Sequence, residues 1–139
     1  MIIIPDPKGV EMLEKRISNV GDEVLDAVYE SAVRSAPVKT RNSPGPAGEL
    51  KRSIRRRSEK RIFGKRQVTV GTDHWHFVEY GTKPHNIYPR YKQALWWPDA
   101  GFPRAMVQHP GAKANPFMRR AVYQKRTIKV YPTGYVEVS

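Results

Sequence analysis

Between Asp6 and Pro37 a single apolar stripe runs without a break. Val10, Leu13, Ile17, Val20, Val24 and Val28 recur at steps of three and four residues, the spacing that lines up one face of an α-helix. Leu25 and Ala32 widen the stripe. Asp6-Pro7 is a helix start: the carboxylate can cap orphan amides, and proline fits the first helical position. Ala36-Pro37 is a stop, because proline disfavours helix for the residue before it. A helix over residues 7–35 is about 43 Å long. That is long for a small domain, so the helix is expected to lie across a sheet. Gly21 is a soft point in its middle.

The rest of the chain reads as short strands and turns. Residues 37–48 are loop by composition. Glu49–Arg57 can open as a helical turn and continue as a strand. Gln67–Gly71 and Trp75–Glu79 read as strands, with Ile62-Phe63 as a possible partner strand and Gly64-Lys65-Arg66 as its turn. Residues 81–114 are rich in proline, glycine and aromatics, with short strand candidates at His85–Tyr88, Ala94–Trp97 and Arg104–Gln108. Asn115-Pro116 repeats the Asp6-Pro7 device and predicts a helix to about Arg126. Thr127–Tyr131 and Tyr135–Val138, about Pro132-Thr133-Gly134, predict a hairpin. The expected fold is α+β, one domain over 1–139: a long N-terminal helix on a small, mainly antiparallel sheet, a second helix near the C-terminus, and a long assembly loop or hairpin over 81–114.

Bulk properties narrow the class. There is no cysteine, so disulfides and thiolate metal sites are excluded. Met1-Ile2-Ile3-Ile4-Pro5 is too short for a secretory signal. No apolar run approaches the ~18 residues of a membrane span. The expectation is a soluble protein of the cell interior, with no membrane partner. The net charge is +12, and it is uneven: residues 1–35 carry four basic and seven acidic side chains, and residues 36–139 carry 21 and six. Such asymmetry points to a polyanion, or to a copy of the chain with the opposite patch.

The sharpest local signals dictate backbone shape. Val78-Glu79-Tyr80-Gly81-Thr82 is a glycine turn closing a strand. His109-Pro110-Gly111, followed by Asn115-Pro116-Phe117, is a Pro-Gly turn and then a helix start. With Ala36-Pro37, Thr40, Gly48, Leu50, Ser53-Ile54 and Ala121, taken in order, these segments resemble a phage morphogenesis family, that of gene product ten of the Hong Kong ninety-seven phage. The resemblance spans roughly residues 10–125. The family's Thr-Gly pair is split here by Arg41–Ala47, His74-Trp75 stands where a Tyr-Ala-like pair is usual, and the hairpin after Arg126 lies outside the pattern. The resemblance implies a structural virion protein of a long-tailed phage, a neck or tail-completion component. It would sit in the host cytoplasm before assembly and then in a ring, of six copies by tail symmetry, around the DNA channel. Its implied partners are other neck and tail proteins: connector or stopper, terminator, or tail tube. A tail terminator is one alternative. A free, non-specific nucleic-acid-binding protein is another, of a different class.

Individual residues carry the remaining expectations. Lys51, Arg52, Arg55, Arg56, Arg57, Lys60, Arg61, Lys65 and Arg66 place nine cations in 16 residues against Glu59 alone. That density can neutralise phosphates without reading sequence. Lys51, Arg52, Lys60, Arg61, Lys65 and Arg66 are the candidates for channel DNA. On the first helix Asp22, Glu23, Asp26 and Glu30 stack on one side, where like charges repel. They are expected to dock on a neighbouring subunit's Arg55–Arg57. Trp96 and Trp97 are expected at a subunit interface rather than stacked on bases, as Trp75, Tyr88 and Tyr91 could also be. His74 and His76, two apart on the expected strand, would share a face. They read as strand histidines rather than zinc ligands, since a structural site needs four ligands and only His85 and His109 remain. Asp73, Glu79 and Asp99 do not form the carboxylate cluster that a magnesium-dependent nuclease needs. No P-loop, Gly-x-Ser-x-Gly or cysteine nucleophile is present. The chain therefore reads as neither an enzyme nor a cofactor binder, and Glu79, Gly81, Thr82, His109, Pro110, Gly111, Pro116 and Phe117 read as turn-forming.

Overall fold

A computed structural model describes residues 6–38, 46–97, 100–133 and 135–139. Thr40, Asp99, the N-terminal Met1–Pro5 and most of the Arg41–Ala47 insertion lie outside the described residues. The chain divides into two compact units, Met1–Asp73 with Phe117–Ser139, and His74–Pro116.

The first unit is organised on α1, Pro7–Ser35. The expected start and stop are both present. Asp6 accepts hydrogen bonds from the Lys8 and Gly9 amides at 3.2 Å, and Ala36 is extended as the residue before proline must be. A short helix α2, Glu49–Ser53, leads directly into β1, Ile54–Ser58, as the sequence indicated. β1 pairs antiparallel with β2, Arg66–Val70, in the register Ile54↔Val70 to Ser58↔Arg66. The expected partner strand at Ile62-Phe63 does not form. Those residues lie in the connection between β1 and β2, where the Glu59 amide donates to the Lys65 carbonyl and the Gly64 amide to that of Arg61. Gly64 fits this turn because a Cβ would lie 2.6 Å from the Glu59 carbonyl oxygen.

The unit closes with a helix, Phe117–Tyr123, and an antiparallel ribbon, Ile128–Val130 with Val136–Val138. The helix is shorter than the expected Asn115–Arg126. The ribbon is the expected hairpin.

α1 packs against the β1–β2 ribbon, the Phe117–Tyr123 helix and the Val136–Val138 strand. Its buried residues are Leu25 and Ala32, the two that widen the stripe. The N-terminal members of the stripe behave otherwise: Val10, Leu13 and Ile17 are exposed. The core joins Leu25, Ala32 and Ala36 to Leu50, Ile54, Phe117, Ala121 and Val136. Polar clamps surround it. Ser31 Oγ donates to Gln124 Oε1 at 2.7 Å, Ser35 Oγ to the Phe117 carbonyl at 3.3 Å, and Arg16 Nη2 to the Pro132 carbonyl at 2.7 Å.

Arg66 is the most heavily used of these clamps. Its Nε donates to Asp22 Oδ1 at 3.0 Å, its Nη2 to Ser18 Oγ at 3.0 Å and the Ser18 carbonyl at 3.1 Å, and its Nη1 to the Gly64 carbonyl at 3.0 Å. It crosses α1 at Gly21, where a Cβ would stand 2.5 Å from its Nε. The soft point in the helix is thus the seat of the arginine that ties the ribbon to it. Arg66→Met should lower the free energy of unfolding by about 1–2 kcal/mol, the charged hydrogen bonds being discounted because Asp22 is half exposed. Arg57→Met, on the solvent side of the same ribbon, should cost no more than about 0.5 kcal/mol. Equal losses in a denaturant titration would deny Arg66 this role.

In the second unit, Trp75–Tyr80 is a helix, α3, and not the expected strand. Six residues are too few for apolar pattern alone to separate the two periods. The burial is helical: half-buried Trp75 and Val78 and buried Glu79 stand at i, i+3 and i+4. Two strands, His85–Ile87 and Val107–His109, pair antiparallel with His85 opposite His109. The expected strand at Ala94–Trp97 is reduced to one bridge, Leu95 to Arg104, and Arg104–Gln108 gives a strand only from Val107. Among the described residues the antiparallel sheet is thus distributed as three two-stranded ribbons.

Candidate assembly surfaces

Strand alternation sorts the arginines. Ile54, Arg56 and Ser58 stand opposite Val70, Val68 and Arg66, so these six residues share the face turned to α1. Arg55 and Arg57, with Thr69 and Gln67, share the other face and are exposed. Arg56 forms an ion pair with Asp26 and lies 5.4 Å from the centre of the Tyr29 ring. Ser58 Oγ donates to Asp22 Oδ1 at 2.6 Å.

Two parts of the expected constellation therefore change. Asp22 and Asp26 engage this chain's own Arg66 and Arg56, because strand pairing presents those arginines to α1. Arg66, grouped above with the DNA-facing cations, is turned inward with only 15% of its side chain exposed. Arg52, Lys60, Arg61 and Lys65 remain exposed, and Lys51 is half-buried. At the tip of the same hairpin Phe63 is 92% exposed, a feature that a reading of charge alone misses. Glu23 and Glu30 are exposed and form no ion pair among the described residues.

In the second unit the two shape motifs meet. The Thr82 amide donates to the Ala112 carbonyl at 2.9 Å, and the Ala112 amide to the Thr82 carbonyl at 3.1 Å and to Thr82 Oγ1 at 2.9 Å. The Asn115 amide donates to the Val78 carbonyl at 2.8 Å. Gly81 and Gly111 flank this crossing with φ of 73° and 87°. A Cβ on Gly81 would fall 2.5 Å from the Ala112 carbonyl oxygen, and one on Gly111 would fall 2.3 Å from that of Thr82. Both positions need a left-handed backbone and no side chain. His109 Nδ1 accepts from the Gly111 amide at 3.0 Å, which sets the turn after Pro110. Glu79, 1% exposed, sits in the helix turn that leads into the crossing and is engaged rather than free.

The histidines are placed by this geometry as well. His74 precedes α3, and His76 lies on it with its ring 3.9 Å from that of Phe77, so they are not strand neighbours. His85 and His109 face one another across their ribbon at 5.1 Å. Among the described residues, no group of three or more histidines and carboxylates comes together.

Apolar surface in the second unit faces outward. Among its described residues only Ala100 and Glu79 are buried. Trp96, Tyr91, Tyr88, Phe102 and Tyr80 are 60% or more exposed, and Trp97 is 37% exposed.

A family model described as "Bacteriophage HK97-gp10, putative tail-component" matches residues 9–81. The chain belongs to this family. The match begins in α1, spans both strands of the first ribbon and α3, and ends on Gly81, the first half of the glycine crossing. His109-Pro110-Gly111, Pro116-Phe117 and Ala121 lie beyond it. No curated protein and no solved structure matches the chain. Membership in the HK97-gp10 tail-component family makes this a phage structural protein of the virion, in contact with other phage structural proteins. Among the described residues, no helix is long and apolar enough to cross a membrane.

The crossing predicts an order among glycine substitutions. Gly111→Ala should strain the backbone by about 1–2 kcal/mol, with the collision at Thr82 added. Gly101, at φ 71°, has open space where a Cβ would stand, so Gly101→Ala carries the backbone strain alone. Limited proteolysis within His74–Pro116 should accelerate markedly for the first variant and little for the second.

Proposed function

We propose that this protein is a neck or tail-completion component of a long-tailed phage, acting as a ring of copies around the DNA channel at the head–tail junction. The observation that carries the reading is the His74–Pro116 unit. Its backbone is tied by the Gly81–Gly111 crossing while its aromatic side chains lie outside. A unit little longer than the ~40 residues below which chains usually need disulfides, metals or oligomerisation draws its burial from neighbours. A ring is a head-to-tail interface that closes on itself, which two unlike surfaces on one chain permit. Trp96 and Trp97 belong to one such surface. Glu23 and Glu30, facing a neighbour's Arg55 and Arg57, belong to the other. Six copies would match tail symmetry.

Arg52, Lys60, Arg61 and Lys65, exposed on the same hairpin and the turn that leads into it, form a basic strip that can meet phosphates of channel DNA without regard to sequence. The strip also supports the second reading, a free duplex-binding protein. No catalytic step, metal or cofactor is part of the proposal, and Glu79, the buried carboxylate, is read as structural.

The test is a phage lacking this chain. Filled heads and separate tails should accumulate, and the wild-type chain supplied in trans should restore joined particles. Normal particles without the chain would end the proposal. Glu23→Lys with Glu30→Lys should leave the unfolding midpoint within the range of ordinary surface changes, about 0.5 kcal/mol, yet block entry into particles. If instead the isolated monomer binds duplex DNA with a steep salt dependence, and that slope falls by about one for each phosphate contact removed by Arg52→Gln or Arg61→Gln, the second reading gains.

A further inference from the structure

The turn between β1 and β2 is tied from within. The Arg61 amide donates to the Glu59 carbonyl at 2.8 Å, and the Gly64 amide to the Arg61 carbonyl at 2.9 Å. Glu59 Oε2 accepts from the Lys65 amide at 3.3 Å. Arg66 Nη1 donates to the carbonyls of Gly64 at 3.0 Å and Ile62 at 3.4 Å. Backbone groups that a surface turn usually leaves to water are therefore held by the protein. On this fixed turn Ile62 is half-buried, whereas Phe63 is 92% exposed. Lys60, Arg61 and Lys65, all exposed, stand within three residues of it. Among the described residues no arginine or lysine covers its ring. The tip thus combines one free aromatic face with three free cations.

We propose that this tip is a DNA wedge: Lys60, Arg61 and Lys65 hold phosphates, and the Phe63 ring stacks on a base at an opened step between them. The partner has to be anionic and has to accept a single flat ring. The buried centre of a protein–protein contact is depleted of charge, which does not suit a ring set among three cations. An anionic membrane surface takes up a wide apolar face, and with Ile62 turned inward the tip offers one side chain. DNA supplies both features wherever it is met, because every base has a π-face and every step has phosphates. Apolar side chains that part base steps are a recurrent device of proteins that grip the backbone without reading sequence. The inference rests on the basic strip meeting DNA and adds the ring to it.

The purified chain is titrated, over a range of salt concentrations, with two short duplexes that differ only in one mismatched pair. Opening a paired step consumes part of the stacking gain, and a mismatch has already lost that pairing. Phe63→Ala should therefore weaken binding to the mismatched duplex by about 5-fold or more, the low end of one aromatic–base stack. The loss should be smaller on the fully paired duplex, and the salt slope should stay unchanged on both. Phe63→Trp should restore the affinity. Arg61→Gln should instead lower the slope by about one on both duplexes. Because Phe63 lies outside the core, Phe63→Ala should unfold at the wild-type denaturant midpoint.

If Phe63→Ala binds both duplexes as the wild type does while Arg61→Gln lowers the slope, the wedge is wrong and the strip reading stands. A loss of equal size on the two duplexes also overturns it. So does a Phe63→Ala chain that binds DNA normally but fails to enter particles, since the ring then has a protein socket. A wild-type chain with no salt-dependent binding to either duplex would defeat the strip reading and the wedge together.

Discussion

The first unit is assembled on one helix. The β1–β2 ribbon, the Phe117–Tyr123 helix and the C-terminal ribbon each pack against α1, and two-stranded ribbons are marginal without such support. This dependence explains why the buried helix residues are Leu25 and Ala32 rather than the valines that dominate the pattern. Burial follows where partners converge, around the second half of the helix. Toward the N-terminus the same stripe continues with Val10, Leu13 and Ile17 exposed.

The charge distribution follows from one geometric rule. A run of three arginines placed on a strand cannot act as a single patch, because successive side chains point to opposite faces. Arg56 turns to α1 and meets Asp26. Arg55 and Arg57 turn to solvent. Arg66, directly opposite Ser58 on the inner face, reaches Asp22 and Ser18. The acidic side of the helix divides accordingly, Asp22 and Asp26 inward and Glu23 and Glu30 outward. Half-exposed pairs such as Asp26–Arg56 are worth about 0–1 kcal/mol each. Their main contribution is to fix which cations remain on the outer strip.

Much of this was legible in the sequence where a local rule acts alone. Asp6-Pro7 and Ala36-Pro37 bound a helix whatever surrounds them, and the turn-then-strand sense of Glu49–Arg57 followed from its own pattern. Trp75–Glu79 reads as strand because five residues carry no decisive period, and what favours the helix is the burial of Trp75, Val78 and Glu79 on one side. Ala94–Trp97 looked like strand by composition but had only Arg104 to pair with. The sorting of the arginines was accessible in principle, since alternation is a sequence property. It required knowing that Arg56 and Arg66 share a face, and that depends on the register between two strands separated by a hairpin. The crossing of Gly81 with Gly111 was legible only in halves, for each glycine announces a turn and neither announces the other.

That crossing gives the His74–Pro116 unit an unusual basis for order. Most small folds hold their shape by apolar burial, with hydrogen bonds refining the geometry. Here the fixed points are backbone: Thr82 with Ala112, Val78 with Asn115, and two glycines whose absent side chains permit the approach. Most of its aromatic side chains are left outside. A segment built in this way can offer its aromatics to a neighbour without first unfolding a core of its own, so association need not be opposed by the loss of existing packing. Where shape is set before contact, the ordering cost of binding is lowered.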